Sequence, residues 1–383
     1  MKQELISFIY KIEDELDDLC KFLYNNPEES YKEEKAYKYI TNLLDKYNFN
    51  ITKNYLDIPN SFYAVKGFGY PKVCYLCEYD AIKSEGHITG HNALTTISTG
   101  AALALGEIID KIGGSVILIG CPGEYLGGTK TLMTKQGTFE DIDVVLECHP
   151  DVITAESGTS SAIIPLNLKY EGNSGLSFLN KGIYTSLDAI LLTFNILNSL
   201  LKGFPEDVEV NSILSKGGYT PLLLPLEADA KFYIRASEMD IAELAENKIR
   251  EIAKCVSNLT HINHTISLYE PPNNELITNR TLNRLFSHNL KESGIINISP
   301  AKNINAGLSL GIVSKTVPCI HPYIAIAENT VKYGTKSFAD ATISPYALEQ
   351  IQKSSVALAL TGLDLIEKED LLQEVKNEFY NKK

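Results

Sequence analysis

Apolar and polar positions follow two kinds of spacing along this chain, and the changes between them outline an architecture. Residues 2–24 and 30–47 set apolar side chains three and four apart among acids, which predicts two amphipathic helices with "NNPEES" as the break. Short apolar runs follow, each ending in polar residues: "KVCYLCEYD", "GSVILIGCPGE", "DVVLECHPD" and, much later, "TVPCIHPYIAIA". Such runs predict strands buried on both faces, and the apolar helix "ALTTISTGAALALGEIIDKI" between the first two supplies cover. In sheets of this class, ligand-binding groups collect at strand carboxyl ends, where Glu78, Asp80, Glu124 and His149 stand.

From about Ser160 the pattern changes to strand, helix, two strands, helix and strand, ending at "TISLYEP". That is a two-layer α+β unit complete in itself. After "PPNN" the chain returns to helix, strand and helices. The expected organisation is therefore an α/β domain in two pieces, 1–159 and 272–383, with an inserted domain over 160–271.

Composition narrows the function. A chain of 383 residues with 35 basic and 48 acidic side chains carries a formal charge of −13, which argues against nucleic acid or an anionic membrane as partner. No run of 18 apolar residues exists, and the first residues lack a signal-peptide core. Seven cysteines without framework spacing fit a reducing compartment, so the protein is expected to be cytoplasmic. Cys74 and Cys77 form a C-x-x-C inside a strand, where they would not pair as a redox turn.

The candidate chemistry begins at "GHITGHNALTTISTG", where His87 and His91 flank a loop-to-helix junction. A lone histidine near a strand end is more often structural than a ligand, and Glu124 in "CPGEYLGGTK" can simply cap the following helix. Order and spacing carry more. The segments "CEYDAI", "GHITGHN", "PGEYLGG", "CHPD", "GIYTSLDA", "FYIRA" and "IHPYIAI", in that order, resemble the dinuclear-metal aminoacylase and carboxypeptidase superfamily. The branch it is most similar to holds the amidohydrolases of amino-acid conjugates, aminobenzoyl-glutamate and certain dipeptides.

The resemblance implies a mixed sheet flanked by helices, of the phosphorylase/hydrolase-like aminopeptidase type, with an inserted ferredoxin-like α+β lid domain that also serves dimerisation. It implies two metal ions, a glutamate acting as general base, and lid groups that bind the substrate carboxylate. Carried over by position, the base is Glu124, with Asp80 beside it, and the retained histidines are His91 and His149. Arg235 of "FYIRA" is the implied substrate-carboxylate anchor, set against a plain ion pair on a lid strand. Three implied ligand positions have changed: Thr89 stands for a cysteine, Tyr125 for a glutamate and Asn329 for a histidine. In the lid, Leu222 replaces an asparagine, and "EGNSGLSFLN" has no counterpart of the lid histidine.

Those changes remove anionic donors that neighbouring divalent ions need, since threonine is not a thiolate and tyrosine is a poor anion at neutral pH. The expectation is no cofactor or a single zinc or manganese ion, not a full dinuclear site. Three functions follow. One is amide hydrolysis of a small N-acyl amino acid, dipeptide or related conjugate by mono-metal or metal-independent chemistry. Another is a non-catalytic pseudoenzyme that binds a small ligand or partner. The third is an ordinary dinuclear enzyme with His87 or His321 recruited. Cys77, Cys121 and Cys148 are nucleophile candidates whose bland alternative is burial in strands.

Overall fold

The computed structural model describes residues 1–381, which fall into two compact units. Unit 1 comprises Met1–Thr159, Ile277–Asn303 and Ile312–Lys383; unit 2 comprises Ser160–Leu276 and Ile304–Gly311. In chain order the first strands are β1 (Asn50–Lys53), β2 (Phe62–Phe68), β3 (Lys72–Cys77), β4 (Gly114–Gly120) and β5 (Val144–Leu146). Then come β6 (His149–Asp151), β7 (Ala155–Ser160), β8 (Ala162–Glu171), β9 (Glu209–Lys216) and β10 (Glu227–Ala236). The last are β11 (Asn263–Leu268), β12 (Ser299–Ile304), β13 (Cys319–Ile320) and β14 (Tyr323–Ala325).

Unit 1 holds a six-stranded mixed sheet of order β1-β2-β4-β3-β5-β13 and a smaller sheet of order β12-β7-β14-β6. Every residue of β4 is buried, as its unbroken apolar run predicts. The helix His91–Ile112 is buried along most of its length and packs against Pro345–Glu367. Small residues permit that approach. A Cβ on Gly362 would lie 2.5 Å from the hydroxyl of Tyr75 and 2.8 Å from Leu105.

Two expectations change in detail. The helix predicted over 2–24 is two helices, Lys2–Lys11 and Glu13–Asn25, because the backbone turns at Ile12 (φ −101°, ψ 14°). The turn lets Leu5, Phe8 and Ile9 of one helix and Leu16, Leu19 and Leu23 of the other all reach the core. The next helix starts at Glu34, not 30, because Tyr31 adopts a left-handed backbone (φ 64°).

The runs "DVVLECHPD" and "TVPCIHPYIAIA" are each two strands in two different sheets. β5 pairs with β13 in the large sheet, then β6 pairs with β14 in the small one, both pairs parallel. The two segments stay together through the crossing: Glu147 N–H donates to Ile320 O, and His149 N–H to Pro322 O at 2.9 Å.

Unit 2 is a four-stranded antiparallel sheet of order β11-β8-β10-β9, with the helices Ser186–Leu200 and Met239–Thr260 on one face. The period-2 pattern of "EADAKFYIRA" buries Ala228, Ala230, Phe232, Ile234 and Ala236 beneath them.

Candidate functional site

Four polar-tipped segments of unit 1 converge. β3 delivers Glu78 and Asp80, the loop before His91–Ile112 delivers Thr89 and His91, and the turn after β4 delivers Glu124 and Tyr125. The sheet crossing delivers Glu147, His149 and His321. Gly90 is left-handed (φ 83°), and a Cβ there would meet Pro150 at 2.5 Å. Only glycine lets the His91 loop press so closely on the strand that carries His149.

His91 is held from both sides. Its Nδ1–H donates to Asp80 Oδ1 at 2.8 Å, and its Nε2 faces Glu78 Oε2 at 3.4 Å. Burial opposes a charge on this ring, but the Asp80 hydrogen bond and the charges of Asp80 and Glu78 raise its pKa to about 9. Asp80 is itself fixed by Ser30 Oγ at 2.6 Å and by the Tyr125 N–H at 3.0 Å. Asp80 thus orients His91, as a carboxylate behind an imidazole ligand does. His149 donates from Nδ1 to the Pro150 carbonyl at 2.8 Å, which leaves Nε2 as its free lone pair. Burial and the neighbouring His91 lower its pKa to about 4, so it is neutral.

The donors of Glu78, His91 and His149 lie within 4.8 Å of one another, and all three residues are buried. Beside them the Lys130 ammonium, with no exposed surface, pairs with Glu78 and lies 3.3 Å from Glu124 Oε2 and 3.6 Å from Glu147 Oε2. Burial resists ionisation of Glu78, yet Lys130 and His91 hold its carboxyl well below the usual range. Glu147 is pushed upward by burial and then by the charge of Glu78. Its second oxygen faces His321 Nε2 at 3.5 Å.

The comparisons with known proteins agree with one another. The chain is 27% identical to a mouse Xaa-Arg dipeptidase over 99% of its own length and 92% of that protein. It is 29% identical to one of the subunits of the p-aminobenzoyl-glutamate hydrolase of Escherichia coli, over 63% of this chain and 55% of the relative. No family model matches. Among solved structures, an aminobenzoyl-glutamate utilization protein from Klebsiella pneumoniae superposes with a TM-score of 0.73 at 11% identity. That match covers 93% of this chain and 98% of the other. A Bacillus subtilis dinuclear metal binding peptidase of the M20 family gives 0.66 at 14% identity, covering 92% and 99%. The chain is similar in sequence and in fold to members of the dinuclear-metal aminoacylase and carboxypeptidase superfamily.

Glu78, His91 and His149 supply a carboxylate and two imidazoles at cation-binding spacing. At the changed positions, the hydroxyls of Thr89 and Tyr125 hydrogen-bond to each other, and the Tyr125 ring stacks on His91 at 4.6 Å. Burial holds the Tyr125 phenol well above its ordinary pKa, so it offers no anion. Asn329 is exposed, in the loop after β14.

The other candidates are placed as follows. His87 is buried away from the cluster's donors, with Nε2 on the Leu23 carbonyl at 3.1 Å. Cys77, Cys121 and Cys148 are fully buried, and burial pushes each thiol up, Cys77 to about 12. They are strand-packing residues. Within unit 2, Arg235 bonds Asn211 of β9 and stacks 5.2 Å from the Tyr233 ring, and Leu222 is exposed. Lys130 and Glu147 were not expected. The signal for Lys130 was its place six residues after Glu124, just past the glycines of "EYLGGTK".

Proposed function

We propose that this protein hydrolyses a small amide, a dipeptide or an N-acyl amino acid, with at most one divalent ion in its site. The observation that carries the reading is the buried Glu78–His91–His149 triad with Glu124 tied into the same cluster through Lys130. In this reading those three residues hold the ion, which would polarise the scissile carbonyl and acidify a bound water when present. Glu124 takes the proton of the attacking water at a carboxylate oxygen and returns it to the departing amide nitrogen. Asp80 keeps the His91 ring aligned. Arg235 offers a planar fork to the substrate carboxylate, which suits the dipeptide and aminobenzoyl-glutamate substrates named for the relatives. We place the protein in the cytoplasm as a homodimer joined through the lid sheet, whose β9 lies at an edge.

The test is turnover of dipeptides and N-acyl amino acids by protein loaded with zinc or manganese. Glu124→Gln is expected to cut kcat by roughly 100- to 10,000-fold with little change in KM. A second reading, a pseudoenzyme that binds such a ligand without cleaving it, draws on the 3.3 Å pair between Lys130 and Glu124, which engages the base. Thermal stabilisation by those compounds with no turnover under any metal would select it.

A further inference from the structure

We propose that Lys130 is the resident cation of this site, standing where a second divalent ion would share Glu78 with the first. An ammonium with no exposed surface persists only among anions, and Lys130 has three carboxyl groups around it. Glu78 is the decisive partner. One of its oxygens binds the lysine, and the other lies 3.4 Å from His91 Nε2, within the triad that fits an ion. A carboxylate placed between two positive centres in this way is the arrangement found between paired metal ions. Glu147 adds a second sign. It is 1% exposed, with one oxygen 3.6 Å from the Lys130 ammonium and the other 3.5 Å from His321 Nε2, so it closes the nest around the lysine.

The substitution has chemical consequences. A lysine cannot dissociate, carries one charge where an ion carries two, and has no open position for water or substrate. It can hold Glu78 and Glu124 in register but cannot activate anything itself. Lys130 is therefore a positioning residue. The changes at Thr89 and Tyr125 fit the same logic, since neutral donors suffice once the second cation belongs to the chain.

The inference rests on the single-ion reading above, and its test separates the two. Full-length protein is stripped with a chelator, dialysed against manganese or zinc, and assayed for bound metal by mass spectrometry. Wild type should retain one equivalent and Lys130→Ala two, because truncation opens a volume lined by three carboxyl groups. Lys130→Met fills that volume without charge, so it should stay at one equivalent and melt roughly 10 °C lower. If Lys130→Ala does not fold alone, Lys130→Ala with Glu124→Gln removes one charge of each sign and should still gain an ion. Two equivalents in wild type, or no gain in either Lys130→Ala protein, overturns the proposal. No ion in wild type with one in Lys130→Ala supports the resident cation while removing the single-ion reading of the function.

Discussion

Thr89 and Tyr125 satisfy each other. Their hydroxyls hydrogen-bond, and the phenol ring stacks on one face of His91, so neither side chain presents an anion there. Restoring anionic donors beside His91 should reverse that. Thr89→Cys with Tyr125→Glu is expected to raise zinc affinity at least about 100-fold, since a thiolate and a carboxylate replace two neutral groups. Titration calorimetry against wild type measures it, and equal affinities would mean that these positions do not face the ion. Asn329 stays out of this variant because it is exposed on its loop. His91, His149 and Glu124 were legible in the sequence because each sits beside a glycine or proline that marks a strand end or helix start. Lys130 and Glu147 were not. One is a lysine opening a short helix and the other an acid inside an apolar run, and neither position shows that the other is near. Charge pairing through space has no period along the chain.

Elements were legible where one physical rule governed the whole segment. The unbroken apolar run of β4 and the alternation of β10 each describe one strand in one environment, and both strands formed as their patterns predict. The run "DVVLECHPD" obeys two environments, β5 in the large sheet and β6 in the small one, with Glu147 and Cys148 at the crossing. Both strands are buried, and the polar residues that follow Leu146 read as the end of a single strand, so nothing along the chain marks the second one. Helix packing raises a related problem. Gly362 lies inside Pro345–Glu367, where alanine would favour the helix by up to about 1 kcal/mol. The added methyl would fall 2.5 Å from the Tyr75 hydroxyl, which is fully buried and bonded to Leu358 O at 3.1 Å. Overpacking at such a contact costs about 1–3 kcal/mol, so packing outweighs propensity. Gly362→Ala should lower the urea midpoint with an unchanged m-value. A raised midpoint would show that the two helices can separate at little cost.

For the molecule as a whole, buried ionisable groups outweigh net charge in setting how stability follows pH. A charge of −13 says that acidification relieves repulsion, but that is a diffuse, salt-screened effect. The buried groups act locally and in opposite directions. Burial lowers His87 and His149 to about 4 and His321 to about 3, so the unfolded chain takes up protons below pH 6.5 that the folded one refuses. Each such histidine makes stability fall with pH through that window, by about 2 kcal/mol at pH 5. Glu33 works the other way. Burial raises it to about 7, so its contribution grows as pH drops from 7 toward the unfolded value near 4.5. His91, raised to about 9, has its full effect below pH 6.5 and loses it only as pH climbs through 9. These terms partly cancel in wild type, so a single substitution isolates one of them. His87→Gln keeps a donor for the Leu23 carbonyl and removes the titrating ring. Whatever it costs at pH 7, that cost should shrink by about 2 kcal/mol at pH 5, measured by urea unfolding of metal-free protein at both values. An equal cost at the two pH values would mean that His87 takes up its proton in the folded chain as readily as in the unfolded one.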